Sequence, residues 1–150
     1  TGSGCVAVSL ARGAKSARVT ATDVSPDALD VARRNAARNG VADRIEFRAG
    51  DLFAALPPGA AFDVLATNPP YVTQSEMATL QPEVRDHEPR LALDGGPDGL
   101  AFYRRIAAGA PAVLAPGAWL LAETGATQAE AVAGLFAERP ELAVVKTLRD

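Results

Sequence analysis

Asn68, Pro69, Pro70 and Tyr71 follow one another at the end of an apolar run, "FDVLAT" at 62–67. Neither proline has an N–H, so a ladder of backbone hydrogen bonds must stop there. The stop leaves acceptors free. The Asn68 side-chain oxygen and the Pro69 carbonyl are neighbours in the chain, and the Tyr71 ring follows. Such a set suits a flat amino group conjugated to a π-system. That nitrogen is a poor nucleophile, because its lone pair is delocalised. Two acceptors for its N–H atoms and a ring stacked on its plane would hold it in line with an electrophile. This is positioning and transition-state electrostatics, with no nucleophile and no strong base required. A plain proline-rich strand exit is the alternative reading.

A second group opens the chain. Gly2-Ser3-Gly4 precedes a small, apolar helical stretch, and Asp23 closes the next β-rich run. Glycines let a backbone approach a ligand closely, and an acid about 20 residues on can accept from ribose hydroxyls. Gly2-x-Gly4-x-x-Ala7 also satisfies the loose dinucleotide pattern, so a nicotinamide cofactor and an ordinary strand-to-helix turn both stay open. Gly50-Asp51-Leu52 is a third group, at another strand's carboxyl end. Asp51 could accept from an adenine amino group and Leu52 could pack on the ring. Asp51 as a turn or helix cap is equally consistent.

The elements that must place these residues alternate. "CVAVSLAR" reads as a helix ending at Gly13 and Ser16. Residues 17–23 read as a strand. Ser25-Pro26-Asp27 is a helix start, with Ser25 as N-cap, Pro26 in the first turn and Gly40 as the stop. Residues 44–49 and 62–67 read as strands, the latter apolar on both faces and therefore a sheet centre. Residues 73–98 show no period and end in turn residues. Leu100, Tyr103, Ile106, Ala107 and Ala110 share a helical stripe. A strand at 118–123, a helix with Thr127 as N-cap and Glu130 three residues on, and a last strand at 142–150 complete the order. Alternation of this kind predicts a mostly parallel sheet with helices on both faces. The chain reads as one domain, 1–150.

Composition narrows the classes. The 150 residues are 48% hydrophobic and carry a net charge of −3, which disfavours a domain that grips nucleic acid mainly by its phosphates. One cysteine excludes an intramolecular disulfide, and Cys5 reads as a small buried hydrophobe. Trp119, Phe102 and Tyr103 read as core. The single histidine cannot anchor a His-rich metal site, so no metal is expected. No apolar run approaches a membrane span, and the expected setting is the cytoplasm.

Taken in order, "TGSGCVAVSLA", "ATDVSPDALDVARRNAARNG", "NPPYV", "EVRDHEPRLALDGGPDGLAFYRRI" and "ETGATQ" resemble the peptide chain release factor glutamine methyltransferases. These belong to the class I S-adenosylmethionine-dependent methyltransferases, whose fold is Rossmann-like. Residues 83–106 point to protein glutamine over DNA adenine. The resemblance implies that Thr1, Gly2, Ser3 and Gly4 lie under the methionine part of S-adenosylmethionine. Asp23 would hold the ribose, Asp51 and Leu52 the adenine. Asn68, which would also touch the cofactor, would receive the substrate amide with Pro69, Pro70 would line the same substrate site, and Tyr71 would stack on the amide. The implied partner is a release factor, methylated on the glutamine of its Gly-Gly-Gln loop, and S-adenosylhomocysteine is the product. No direct nucleic-acid or membrane partner is implied, and a monomer is expected.

Departures qualify the resemblance. The family has an acid and a further glycine before Thr1, a first strand, a final antiparallel strand and a helical N-terminal domain. This chain reads as a fragment without them. Leu52 stands where relatives often carry an aromatic residue. A ribosomal-protein glutamine and an N6-adenine are the alternative acceptors. His87 and Glu88 are either lid residues or solvated loop charges, and Glu123 is either a site residue or a structural one.

Overall fold

In a computed structural model, residues 1–148 are described. The chain divides into two compact units, Thr1–Ala60 and a second from Ala61 onward.

In the first unit, helix α1 (Cys5–Gly13) leads to strand β1 (Val19–Asp23), helix α2 (Pro26–Arg38) and strand β2 (Ile45–Ala49). Ala7, Val8 and Ala11 repeat at helical spacing and bury one stripe of α1. Ser25 caps α2: its Oγ accepts from Ala28 N at 3.2 Å. Leu29, Ala32 and Ala36 bury the facing stripe, with Leu29 alone contributing about 2 kcal/mol. Gly40 closes the helix at φ 66°, a left-handed conformation that favours glycine. β1 and β2 pair in parallel, from Val19↔Ile45 to Asp23↔Ala49. Ala7, Val8 and Ala11, with Ala36, pack on Ala21, Ile45, Val19 and Phe47 to form the core. Because the two strands end in register, the loops that leave them lie side by side.

In the second unit, strand β3 (Phe62–Thr67) is followed by two single-turn helices, α3 (Pro82–Arg85) and α4 (Arg90–Leu93). Helix α5 (Ala101–Gly109), strand β4 (Leu114–Ala122) and helix α6 (Ala129–Ala137) come next. β3 and β4 are parallel, and the register shifts between Phe62↔Leu114 and Val64↔Trp119. Pro116, which has no N–H, and Gly117, at φ 78°, lie in the shifted stretch. Of the anticipated stripe, Tyr103, Ile106, Ala107 and Ala110 are buried, while Leu100 stands at the N-cap position and is partly buried. The Tyr103 hydroxyl donates to the Glu123 carbonyl at 2.7 Å.

Five expectations are corrected. β3 is no sheet centre: it pairs with β4 alone among the described residues, and Val64 is exposed. Trp119 is 55% exposed, because it sits opposite Val64 on that uncovered face. Cys5 is exposed, since α1 turns its alanine stripe inward and Cys5 lies off it. Thr127 does not cap α6. Gln128 holds the N-cap position without a side-chain cap bond, and its amide is committed elsewhere. Residues 142–148 form no strand, and Val144, Val145 and Leu148 are exposed. Residues 149 and 150 of that anticipated strand lie outside the described residues.

Candidate active site

The first unit gathers its candidates at the carboxyl end of β1. The Thr1 nitrogen donates to the Thr22 carbonyl at 2.8 Å and to Asp23 Oδ2 at 2.9 Å. Gly2 N donates to the same Oδ2 at 2.8 Å, and Ser25 N donates to Oδ1 at 2.9 Å. Asp23 therefore clasps the glycine loop and the entry to α2 together. Burial pushes its carboxyl up, but the hydrogen bond from Ser25 N, the bond and charge of the terminal Thr1 amino group and the hydrogen bond from Gly2 N together hold it below the ordinary 3.8. It stays ionised at neutral pH. A carboxylate offers about four acceptor directions. Three are engaged here, which leaves one on Oδ1, on a side chain that is 16% exposed.

Gly2 and Gly4 adopt φ 55° and 79°. A Cβ at Gly2 would meet nothing within 4 Å, so its requirement is conformational. A Cβ at Gly4 would stand 2.8 Å from Ala32 Cβ, so the loop rests directly on α2. The Ser3 carbonyl accepts from Asn35 Nδ2 at 2.9 Å. The second loop is tied to the first group, since Gly50 N donates to the Asp23 carbonyl at 2.9 Å. Asp51 opens a short 3₁₀ turn, Leu52–Ala55, without a side-chain cap bond. Leu52 has φ 47°, the only non-glycine residue with positive φ among those described.

The second unit carries the acceptor motif on its own. Thr67 O accepts from Glu123 N at 3.0 Å, which is the last pairing of the β3 exit. Glu123 thus acts structurally through its backbone. Pairing resumes at Val72, whose N–H donates to the Leu93 carbonyl at 2.9 Å and whose carbonyl accepts from Gly95 N at 2.8 Å. Residues 68–71 span the gap between these two anchors. Asn68 is exposed, Pro69 is buried, and Pro70 and Tyr71 are partly buried. Among the described residues, neither the Asn68 side chain nor the Pro69 carbonyl makes a hydrogen bond. The Tyr71 carbonyl accepts from Gln128 Nε2 at 3.0 Å. His87 and Glu88 lie exposed just after α3.

Sequence reasoning missed Asn35 and Gln128. Asn35 had a signal: a short amide inside an otherwise alanine- and arginine-rich helix is disfavoured by propensity. Gln128 had none, because its partner is 57 residues away.

Parallel strands in open sheets, with glycine and carboxylate loops at their carboxyl ends, define an α/β domain of the ligand-binding kind. The chain belongs to the methyltransferase small domain family, which it matches over residues 1–96. It is 54% identical over 150 residues to the release factor glutamine methyltransferase of Cereibacter sphaeroides, covering 100% of this chain and 53% of that protein. It is 49% identical over 135 residues to the enzyme of that name from Geobacter sulfurreducens, covering 90% and 46%. It is 52% identical over 125 residues to the ribosomal protein uL3 glutamine methyltransferase of Bordetella pertussis, covering 83% and 41%. The chain spans about half the length of the curated relatives it matches. Among the described residues, no helix is long and apolar enough to cross a membrane.

Proposed function

We propose that the complete protein methylates the side-chain N5 of the glutamine in the Gly-Gly-Gln loop of a peptide chain release factor, using S-adenosylmethionine in the cytoplasm. When bound, that cofactor supplies an electrophilic methyl group and leaves as S-adenosylhomocysteine. The residues of the first unit suit it. Asp23 keeps one acceptor direction for a ribose hydroxyl. Gly2 and Gly4 keep the loop backbone bare for close approach. Asp51 and Leu52, beside Asp23, are the candidates for the adenine.

The observation that carries the reading is the acceptor pair of Asn68 and Pro69 at the exit of β3. Both oxygens accept N–H bonds from a primary amide, which orients its nitrogen and draws charge toward it. The partly buried Tyr71 ring offers a flat wall. These interactions strengthen as the nitrogen becomes positive in the transition state, which is where binding accelerates a reaction.

A ribosomal-protein glutamine is the second reading, favoured by the 52% identity to the uL3 enzyme. One experiment addresses both. The complete protein is incubated with methyl-labelled cofactor and, separately, with release factor, with uL3 and with duplex DNA. Label on the release factor glutamine, reduced at least about 100-fold by Asn68→Ala, is the expected result. Label on uL3 alone would install the second reading, and label on DNA alone would overturn both. Normal activity in Asn68→Ala would remove Asn68 from the assigned role.

A further inference from the structure

We propose that Gln128 is a positioning residue for the acceptor motif, acting through the Tyr71 carbonyl. The proposal rests on the reading of residues 68–71 as the group that holds the substrate amide. Two prolines remove backbone donors from this loop, so it has few ways to hold itself. Among the described residues, the first backbone N–H after the prolines that makes a backbone hydrogen bond is that of Val72. A carbonyl anchor is the remaining device, and Tyr71 O has one in Gln128 Nε2 at 3.0 Å.

Three glycines are shaped around that bond. A Cβ at Gly99 would fall 2.2 Å from Gln128 Nε2 and 2.4 Å from Tyr71 O, which is on the hydrogen bond itself. A Cβ at Gly125 would stand 2.8 Å from Gln128 Oε1 and 3.3 Å from Tyr71 Cδ2. A Cβ at Gly95 would stand 2.7 Å from Tyr71 Cα. Glycines from the turn before α5 and from the turn after β4 therefore clear space around one residue.

The amide itself shows which of its atoms matters. Gln128 Oε1 is buried without a hydrogen-bond partner among the described residues. A buried unpaired acceptor is unfavourable, and a methionine of similar length would fill the space without one. The gain that offsets this cost is the donor aimed at Tyr71. Turning the amide over would set oxygen against oxygen. Gln128 thus fixes where the Tyr71 backbone sits, and with it the ring and the neighbouring acceptors. Small displacements of such groups lower turnover steeply.

The test uses the complete enzyme carrying Gln128→Met, read by three measurements. Turnover on release factor should fall by about 10- to 100-fold, with cofactor affinity by calorimetry within about twofold. Hydrogen exchange at residues 71–73 and 95–96 should rise at least about tenfold, with α5 unchanged. Gln128→Glu, which puts an oxygen in place of the donor, should turn over more slowly than Gln128→Met. Gly99→Ala should reproduce the local exchange increase, and it carries the same comparison where Gln128→Met does not fold. Wild-type turnover in Gln128→Met would overturn the proposal. So would a loss spread evenly through cofactor affinity, melting temperature and exchange over the whole second unit, which marks a merely structural role. If the wild-type enzyme methylates neither protein, the functional reading falls, and exchange still decides Gln128. A local rise supports it and unchanged exchange overturns it.

Discussion

Gly4→Ala isolates the packing on which the glycine loop rests. Two penalties add. Alanine at φ 79° costs about 1–2 kcal/mol for its left-handed backbone. Its methyl would then stand 2.8 Å from the Ala32 methyl carbon and 3.1 Å from the Ala32 backbone, and overpacking of that kind costs about 1–3 kcal/mol. The sum is about 2–5 kcal/mol, against a total stability of about 5–15 kcal/mol for an ordinary domain. Ala32 is fully buried on α2, so it cannot swing away. Ala32→Gly removes the methyl side of the clash, leaves the close approach to the helix backbone, and costs about 1 kcal/mol in helix propensity. The double variant should therefore recover about 1–2 kcal/mol relative to additivity. Urea unfolding of the four complete proteins, followed by far-ultraviolet circular dichroism, reads the cycle. Calorimetric titration with S-adenosylhomocysteine reads the loop. A Gly4→Ala protein within about 0.5 kcal/mol of wild type would refute the reasoning. Zero coupling would refute its steric half and leave only the backbone conformation.

Two further predictions concern titration and packing. Asp23→Asn should abolish S-adenosylhomocysteine binding by calorimetry and should change acid stability in a set direction. The folded carboxyl lies below the ordinary 3.8, so its contribution is present above that value and is lost as pH falls through the folded value. The stability gap between wild type and Asp23→Asn should be constant at neutral pH and close below 3.8. A gap that persists into strong acid would contradict the clasp. Tyr103→Phe should cost about 1–2 kcal/mol in urea unfolding by stranding the Glu123 carbonyl. Burial, with Tyr71 and Glu123 nearby, pushes the Tyr103 phenol above its ordinary 10.0. Only the unfolded chain ionises Tyr103 as pH rises through that value, so wild-type stability falls there by a component that Tyr103→Phe lacks.

Elements set by local chemistry were legible in the sequence. The Ser25-Pro26 start of α2, the Gly40 stop and the α5 stripe all stand where composition and period put them, because each depends on residues within a few turns. The break in pairing at residues 68–71 was legible, because two prolines cannot donate to a ladder. What escaped depends on distant neighbours. Val64 and Trp119 have the hydropathy of a buried strand pair, yet burial depends on what covers a face. Thr127 offered a capping spacing, but α6 begins one residue later, where Gln128 is drawn to Tyr71. The left-handed Leu52 escaped because the sequence offers a branched side chain where glycine or asparagine is usual. The last expected strand failed for a related reason: alternation at 142–148 permits pairing but supplies no partner.

The distribution of aromatic residues across the two units has an optical consequence. Tyr71, Tyr103 and Trp119 all lie beyond Ala60, and the first unit carries only Phe47 and Phe53. Near-ultraviolet absorbance and intrinsic fluorescence therefore report the second unit. Trp119, the single tryptophan, is a solvent-facing emitter whose spectrum responds to whatever shields the β3–β4 face. The glycine loop and Asp23 sit in a part of the chain that is dark at these wavelengths. A fluorescence melt registers their loss only when it spreads to residues beyond 60.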